Sequence, residues 1–286
     1  MDVQDISNTI NSIFSSLFSS IDNNLYFILD DITFISSNIL NDEYFLKILG
    51  TDTSTGILLI CNSLVIGFIL YHAIVSIFSN ITLNQPITHG KFLLRLTIFT
   101  IIMNFSPFLC SSALDFVSMI SLAIRNIGET IFNKNICFTT LIQEINSVIY
   151  INSASINIFS LDGLIKSFIS VSLLNLVFSY SLRYILIKLL ILLSPFAILC
   201  LISEKTTWFF SSWLRALISL LSIQIIVALI LLLIFSLNLS SQDLFNKLLV
   251  LGSIYALVRT NGFIRDLIGG ISSDVSINIK NLLNNH

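Results

Sequence analysis

Charge is what this sequence has least of. Only 10% of its 286 residues are Asp, Glu, Lys or Arg, against roughly 25% in an ordinary soluble domain. The 14 basic and 16 acidic residues leave a formal net charge of −2. That balance offers no surplus of positive charge for a polyanion, which excludes a nucleic-acid-binding domain of the basic-patch kind. Histidine is scarce as well: three residues, far apart, the last of them the terminal His286. The four cysteines (Cys61, Cys110, Cys137, Cys200) show no C-x-x-C spacing and no accompanying His, and three lie within apolar runs, where they behave as small hydrophobes. No Walker loop, no G-x-S-x-G, no H-E-x-x-H and no cluster of Asp, Glu and His at ligand spacing occurs. These absences predict no catalytic residue, no metal site, no cofactor and no enzymatic activity.

What is present is apolar. Hydrophobic residues make up 55% of the chain, with 23 Phe and only 3 Pro, and the mean hydropathy is +0.93. Disorder is excluded by such a composition. No soluble core of this size hides so much apolar surface, so the solvent is predicted to be a bilayer. The expected fold class is all-α: a polytopic integral membrane helical protein of about five transmembrane helices with amphipathic surface helices. The N-terminus, MDVQDISNTINSIF, carries acids where a secretory signal needs basic residues, so the first apolar span is expected to stay in the mature protein.

Residues 1–53 read as an extracytoplasmic amphipathic segment. Between Ile6 and Ile39 apolar residues recur at steps of three and four, while Asp22, Asp30 and Asp31 prevent a crossing. Such a helix either lies on the bilayer or a partner, or packs on the chain's own membrane domain. The transmembrane domain is expected over 54–240, with spans at about 56–78, 92–112, 163–181, 184–203 and 214–238. The apolar run 163–202 forces a choice. One helix of that length would measure roughly 60 Å, twice the hydrocarbon thickness. It would also hold Arg183 near the bilayer centre, at about 2.5–3.5 kcal/mol on insertion scales. Two spans meeting near residues 179–184 avoid both costs, although no Gly or Pro marks a turn there. Between 125 and 162 a long loop with a short surface helix over 141–149 is expected. Residues 241–286 read as an amphipathic helix, with the 248–258 run half-buried or interfacial, followed by a cytoplasmic tail.

Orientation follows from the basic residues. The first 53 residues hold one, Lys47, against eight acids. An outside N-terminus and five spans put eight Lys/Arg inside and six outside, which is the expected direction. A plasma-membrane location with a cytoplasmic C-terminus results. Polar residues within or beside spans are the default functional candidates, because lipid tolerates them poorly. They are Asn104, Asp115, Lys166, Arg183, Lys188 and Gln224, either lining a pore or bonding between helices. The three cations either pair with Asp115 or Asp162 or snorkel to an interface. Trp208 and Trp213 read as interfacial anchors.

Two stretches carry a resemblance. Residues 159–224 contain a basic apolar span ending in Ser194-Pro195-x-Ala197, then Thr206, Phe209 or Phe210, Trp213 opening the next span, and Gln224 within it. Residues 251–272 read LGSIYALVRTNGFIRDLIGGIS, and Tyr71, Asn104 and Ser106 fit the same pattern upstream. Together these resemble the TrbL-type polytopic membrane subunits of conjugative transfer systems, in the form found in low-GC Gram-positive bacteria. The resemblance covers most of residues 50–272. It implies a multi-pass plasma-membrane subunit of a type IV secretion machine that helps form the membrane conduit for DNA transfer. It also implies partners: the lipid bilayer, other membrane subunits of the conjugation machine, traffic ATPases, a second copy of the chain, and single-stranded DNA with its relaxase in transit. The alternative from another class is a secondary transporter or ABC-type permease for a small solute, in which Asp115, Arg183 and Pro195 would serve a midplane site.

Overall fold

The long apolar runs have no way to satisfy their backbone in lipid except as helices, and the computed structural model of the chain is helical throughout. It describes residues 28–50, 55–81, 89–150, 161–203, 206–237 and 244–268. Among these there is no strand, and about 90% of the structure is helix. The elements are α1 (Glu43–Leu49), α2 (Ile57–Ile81), α3 (His89–Asn104), α4 (Ser106–Phe132), α5 (Phe138–Tyr150), α6 (Leu161–Leu199), α7 (Thr207–Ser236) and α8 (Leu244–Ile268). Five stretches are long and apolar enough to cross a membrane: Ile57–Phe78, Ser106–Phe132, Gly163–Leu199, Thr207–Ser236 and Phe245–Ile268. The chain is a multi-pass helical membrane protein.

The number five agrees with the sequence, but the segments differ in three places. The expected span 92–112 is broken. Pro107 has no N–H to give the Met103 carbonyl, and α3 ends at Asn104 with α4 starting at Ser106. The crossing candidate is α4, which runs on to Phe132 through much of the predicted loop. The expected pair 163–181 and 184–203 is instead the single 39-residue helix α6, roughly 58 Å long. Pro195 does not break it. The carbonyl that Pro195 cannot bond, that of Ile191, accepts the Ser194 hydroxyl at 2.7 Å, a local repair of the kind that lets proline persist in membrane helices. Finally, the 248–258 run is the middle of α8, a helix long and apolar enough to cross. Of the amphipathic segment, residues 1–27 lie outside the described residues, and 28–50 pack against the chain's own helices.

The chain divides into two compact units. Unit 1 comprises residues 1–35, 117–185 and 219–286; unit 2 comprises 36–116 and 186–218. In unit 2, α2 and α3 form an antiparallel pair: Asn62 and Asn104 exchange amide hydrogen bonds at 3.1 and 3.2 Å, and His72 stacks on Phe92 with centroids 3.8 Å apart. Cys61, Val65, Leu96, Met103, Ile198, Leu199 and Ile202 form its apolar cluster. Ahead of α2, Gly56 at φ +136 abuts Gly50 at φ +87. A Cβ on Gly56 would lie 2.5 Å from the Gly50 Cα, so both positions need glycine. Unit 1 gathers the helical turn over residues 28–33 with α5, α8 and segments of α4, α6 and α7. The α6 and α7 windows bury 50% and 56% of their residues against 17% for α2 and α4. Of the five candidate spans, α6 and α7 are therefore the most buried.

The continuity of α6 has a direct check. Ile185 is 62% exposed within the span. In a background with the native cysteines replaced by alanine, Ile185→Cys should resist a membrane-impermeant maleimide in intact vesicles and react once detergent is added. Labelling in intact vesicles would mean that an aqueous turn interrupts the helix.

Candidate functional site

Arg183 is the largest side chain with no solvent exposure. Its guanidinium lies in the interior of unit 1 and meets no carboxylate among the described residues. Instead Nε donates to the Leu220 carbonyl of α7 at 2.8 Å, and Nη1 donates to the Thr33 carbonyl at 2.8 Å. Nη2 reaches the Gln224 Oε1 at 3.5 Å. The Thr33 carbonyl ends the helical turn over 28–33 and has the partial negative charge of a helix C-terminus, which suits a cation.

Gln224 is the hub. Its Oε1 also accepts the Ile35 backbone N–H at 3.1 Å, and its Nε2 donates to the Ser121 Oγ of α4 at 3.0 Å. Ser121 and Gln224 are both buried. One turn before Arg183, the buried Tyr180 donates its hydroxyl to the Leu257 carbonyl of α8 at 3.4 Å. Polar groups of four apolar helices thus converge with the main chain of residues 33–35. One atom is left over: the buried Thr33 Oγ1 has no hydrogen-bond partner among the described residues.

The same short segment is pinned at its other end. Asp30 accepts from the backbone N–H groups of Phe138 and Thr139 at 2.9 and 3.1 Å and from the Thr139 hydroxyl at 2.8 Å. A carboxylate there answers the unpaired N–H groups at the start of α5. Arg125 covers Phe34 at 4.4 Å from the ring centroid and donates to the Ile136 carbonyl at 2.7 Å. Leu29, Thr33 and Ile35 are buried.

The sequence candidates fall into separate groups. Arg183 and Gln224 come together. Arg183 does not snorkel, and burial in protein replaces the expected interface position. In unit 2, Asn104 pairs with Asn62, and Asp115 accepts the Ser37 backbone N–H at 3.1 Å rather than a side-chain cation. Lys188 lies 3.7 Å from Asp42 and 5.4 Å from the Phe45 ring centroid. The side chains of Lys166 and Asp162 lie outside the described residues. Trp213 is a buried helix-to-helix contact rather than an interfacial anchor: its Nε1 donates to the Leu190 carbonyl of α6 at 2.8 Å. Trp208 and Tyr71 are exposed, Ala197 is buried, and Thr206 Oγ1 donates to the Cys200 carbonyl at 2.6 Å, closing the end of α6. Sequence reasoning missed Thr33, Ser121, Tyr180 and Asp30. Of these, only Asp30 stood out as a charge interrupting an apolar face.

Chemically, this arrangement holds a positive charge balanced by dipoles. Among the described residues no group of three His, Cys, Asp or Glu side chains is placed to hold a metal ion.

The two amide sites should differ in energetic weight. Gln224→Leu orphans the buried Ile35 N–H and removes the acceptor of Arg183 Nη2, at about 1–3 kcal/mol for each buried group left unpaired, while the Ser121 hydroxyl keeps its bond to the Ser118 carbonyl. Asn62→Leu breaks the partly exposed pair with Asn104, where interhelical bonds average about 0.6 kcal/mol. Unfolding of each variant in detergent should therefore show a clearly larger loss for Gln224→Leu. Equal losses would remove the network from its central place.

Comparison of the chain with protein-family models, with curated proteins and with solved structures finds no match.

Proposed function

We propose that this chain is a multi-pass plasma-membrane subunit of a conjugative type IV secretion machine, helping to form the membrane conduit for DNA transfer. The observation that carries the reading is where the residues of the resemblance sit. Ser194 repairs the backbone at Pro195, and Thr206 closes α6. Trp213 bonds α7 to α6, and Gln224 completes the site at Arg183. Residues that match the pattern are therefore joints of one helix pair, not incidental members of an apolar run. Most of the second matching stretch, 251–272, belongs to α8, which meets that pair through Tyr180 and Leu257.

In this reading the subunit has no reactive centre of its own. Traffic ATPases supply the energy, neighbouring membrane subunits and further copies of the chain complete the conduit, and a single DNA strand with its relaxase is the cargo. The N-terminus faces outward and the C-terminus the cytoplasm. The test is an in-frame deletion of the gene in a donor whose transfer system is otherwise intact. Transfer should fall to background and return when the gene is supplied in trans. Undiminished transfer would overturn the proposal.

A further inference from the structure

Residues 28–35 are an unusual tenant for the middle of unit 1. They are too short to hold a helix by themselves, so their conformation comes from docking. Yet their partners Arg183 and Gln224 lie inside two stretches that each qualify as a membrane span, and Gln224 bonds Ser121 in a third. Irregular backbone among such helices is tolerated only when protein surrounds it or water reaches it. Here protein does: the Thr33 carbonyl accepts from Arg183 and the Ile35 N–H donates to Gln224, within a buried polar cluster that also holds Ser121.

We propose that residues 28–35 are a removable seal, closing a polar path through unit 1 whose wall, with Arg183 at its centre, favours anions. The inference deepens the conduit reading above by naming how the path is closed. Three observations support it. The seal is attached by discrete contacts: Asp30 at the start of α5, the Thr33 and Ile35 main chain, Phe34 between Arg125 and Phe138, and the apolar anchors Leu29 and Ile35. The unpaired Thr33 hydroxyl penalises the seated state and would be relieved in water. Withdrawal would free Nη1 of a guanidinium that no carboxylate neutralises among the described residues, and a guanidinium presents donors suited to oxyanions and halides.

The test uses full-length protein in phosphatidylethanolamine–phosphatidylglycerol liposomes, with iodide entry read by an entrapped halide-sensitive dye and potassium entry as the comparison. Ile35→Ala removes an anchor without touching the wall. If the withdrawn state is normally populated at roughly 0.1–10%, loosening the seal should raise iodide entry about tenfold or more over the unaltered protein. Asp30→Cys with Thr139→Cys, in a background whose native cysteines are alanine, replaces the contact at 2.8 Å with a reversible tether. Added to Ile35→Ala, the oxidised tether should suppress iodide entry and reduction should restore it. Arg183→Gln in the loosened protein should lower the preference for iodide over potassium. Equal iodide entry in the oxidised and reduced forms would overturn the seal. So would a monodisperse Ile35→Ala variant no more permeable than the parent. Should Ile35→Ala fail to fold, the tether in the parent decides alone by the same comparison of oxidised and reduced forms.

The two proposals fail separately. A tether without effect alongside transfer lost on deletion removes the seal and leaves the conjugative reading. Tether-controlled iodide entry alongside undiminished transfer does the reverse.

Discussion

A guanidinium that has lost all contact with water must find hydrogen-bond acceptors, and the interior of unit 1 is arranged around that requirement. Transferring an unpaired cation into an apolar interior costs more than most single contacts return. Arg183 meets the demand with a carbonyl from α7, the end of a helical turn and an amide side chain. Each acceptor brings an obligation. The carbonyl of Thr33 is in place only because residues 28–35 enter the unit, and they enter because Gln224 accepts the Ile35 N–H and the start of α5 donates to Asp30. Gln224 in turn reaches α4 through Ser121. The cation thereby couples four elements that apolar packing alone would leave free to slide.

This explains why α6 is one helix. An arginine facing lipid near the middle of a long apolar run argues for a turn, since a turn takes the charge to the interface. Once protein acceptors are supplied, the reason for the turn disappears and backbone continuity is the lower-energy choice. The proline later in the same helix follows a similar logic. Ser194 satisfies the carbonyl that Pro195 leaves unpaired, so helix geometry survives. At Pro107, where α3 gives way to α4, the helix does break. Both prolines follow a serine, but only the Ser194 hydroxyl bonds the carbonyl left free, while the buried Ser106 hydroxyl has no partner among the described residues; what differs between the two sites is whether the hydroxyl is engaged.

How much of this was legible in the sequence depends on the range of each interaction. Helical class and the span 56–78 follow from uninterrupted apolar runs, a local property. The polar candidates were also visible, because Asn, Gln and Arg in such runs are rare enough to notice, and Asn104 and Gln224 do bond between helices. Their partners were not visible. Thr33 lies 150 residues from Arg183 and Ser121 lies 103 from Gln224, separations at which a single sequence has no periodicity to read. The misplaced turn in 163–202 came from the same blindness. The full cost of lipid exposure does not apply to Arg183, since its acceptors come from α7 and from a segment whose sequence fits packing on the membrane domain as well as lying on a surface. Trp213 failed for the converse reason: an indole N–H suits an interface, but equally suits a helix carbonyl, and only the pairing of α6 with α7 decides.

Dipolar rather than ionic compensation also bears on what such a site can do. A carboxylate beside Arg183 would cancel its field and hold it by a strong, directional pair. Carbonyl and amide dipoles satisfy the donors yet leave the net charge in place, and an oxyanion offers the same donors better acceptors than a carbonyl does. The site is therefore one in which a main-chain segment and an anionic passenger would compete for one set of hydrogen bonds. For a conduit that passes a phosphodiester chain, such competition lets the cargo lower the cost of displacing what blocks it. For a purely structural arginine a buried acid would serve stability at least as well, and Asp30, close by in the same short segment, is instead committed to the start of α5. The choice of backbone over carboxylate as the partner of Arg183 is what a replaceable contact requires.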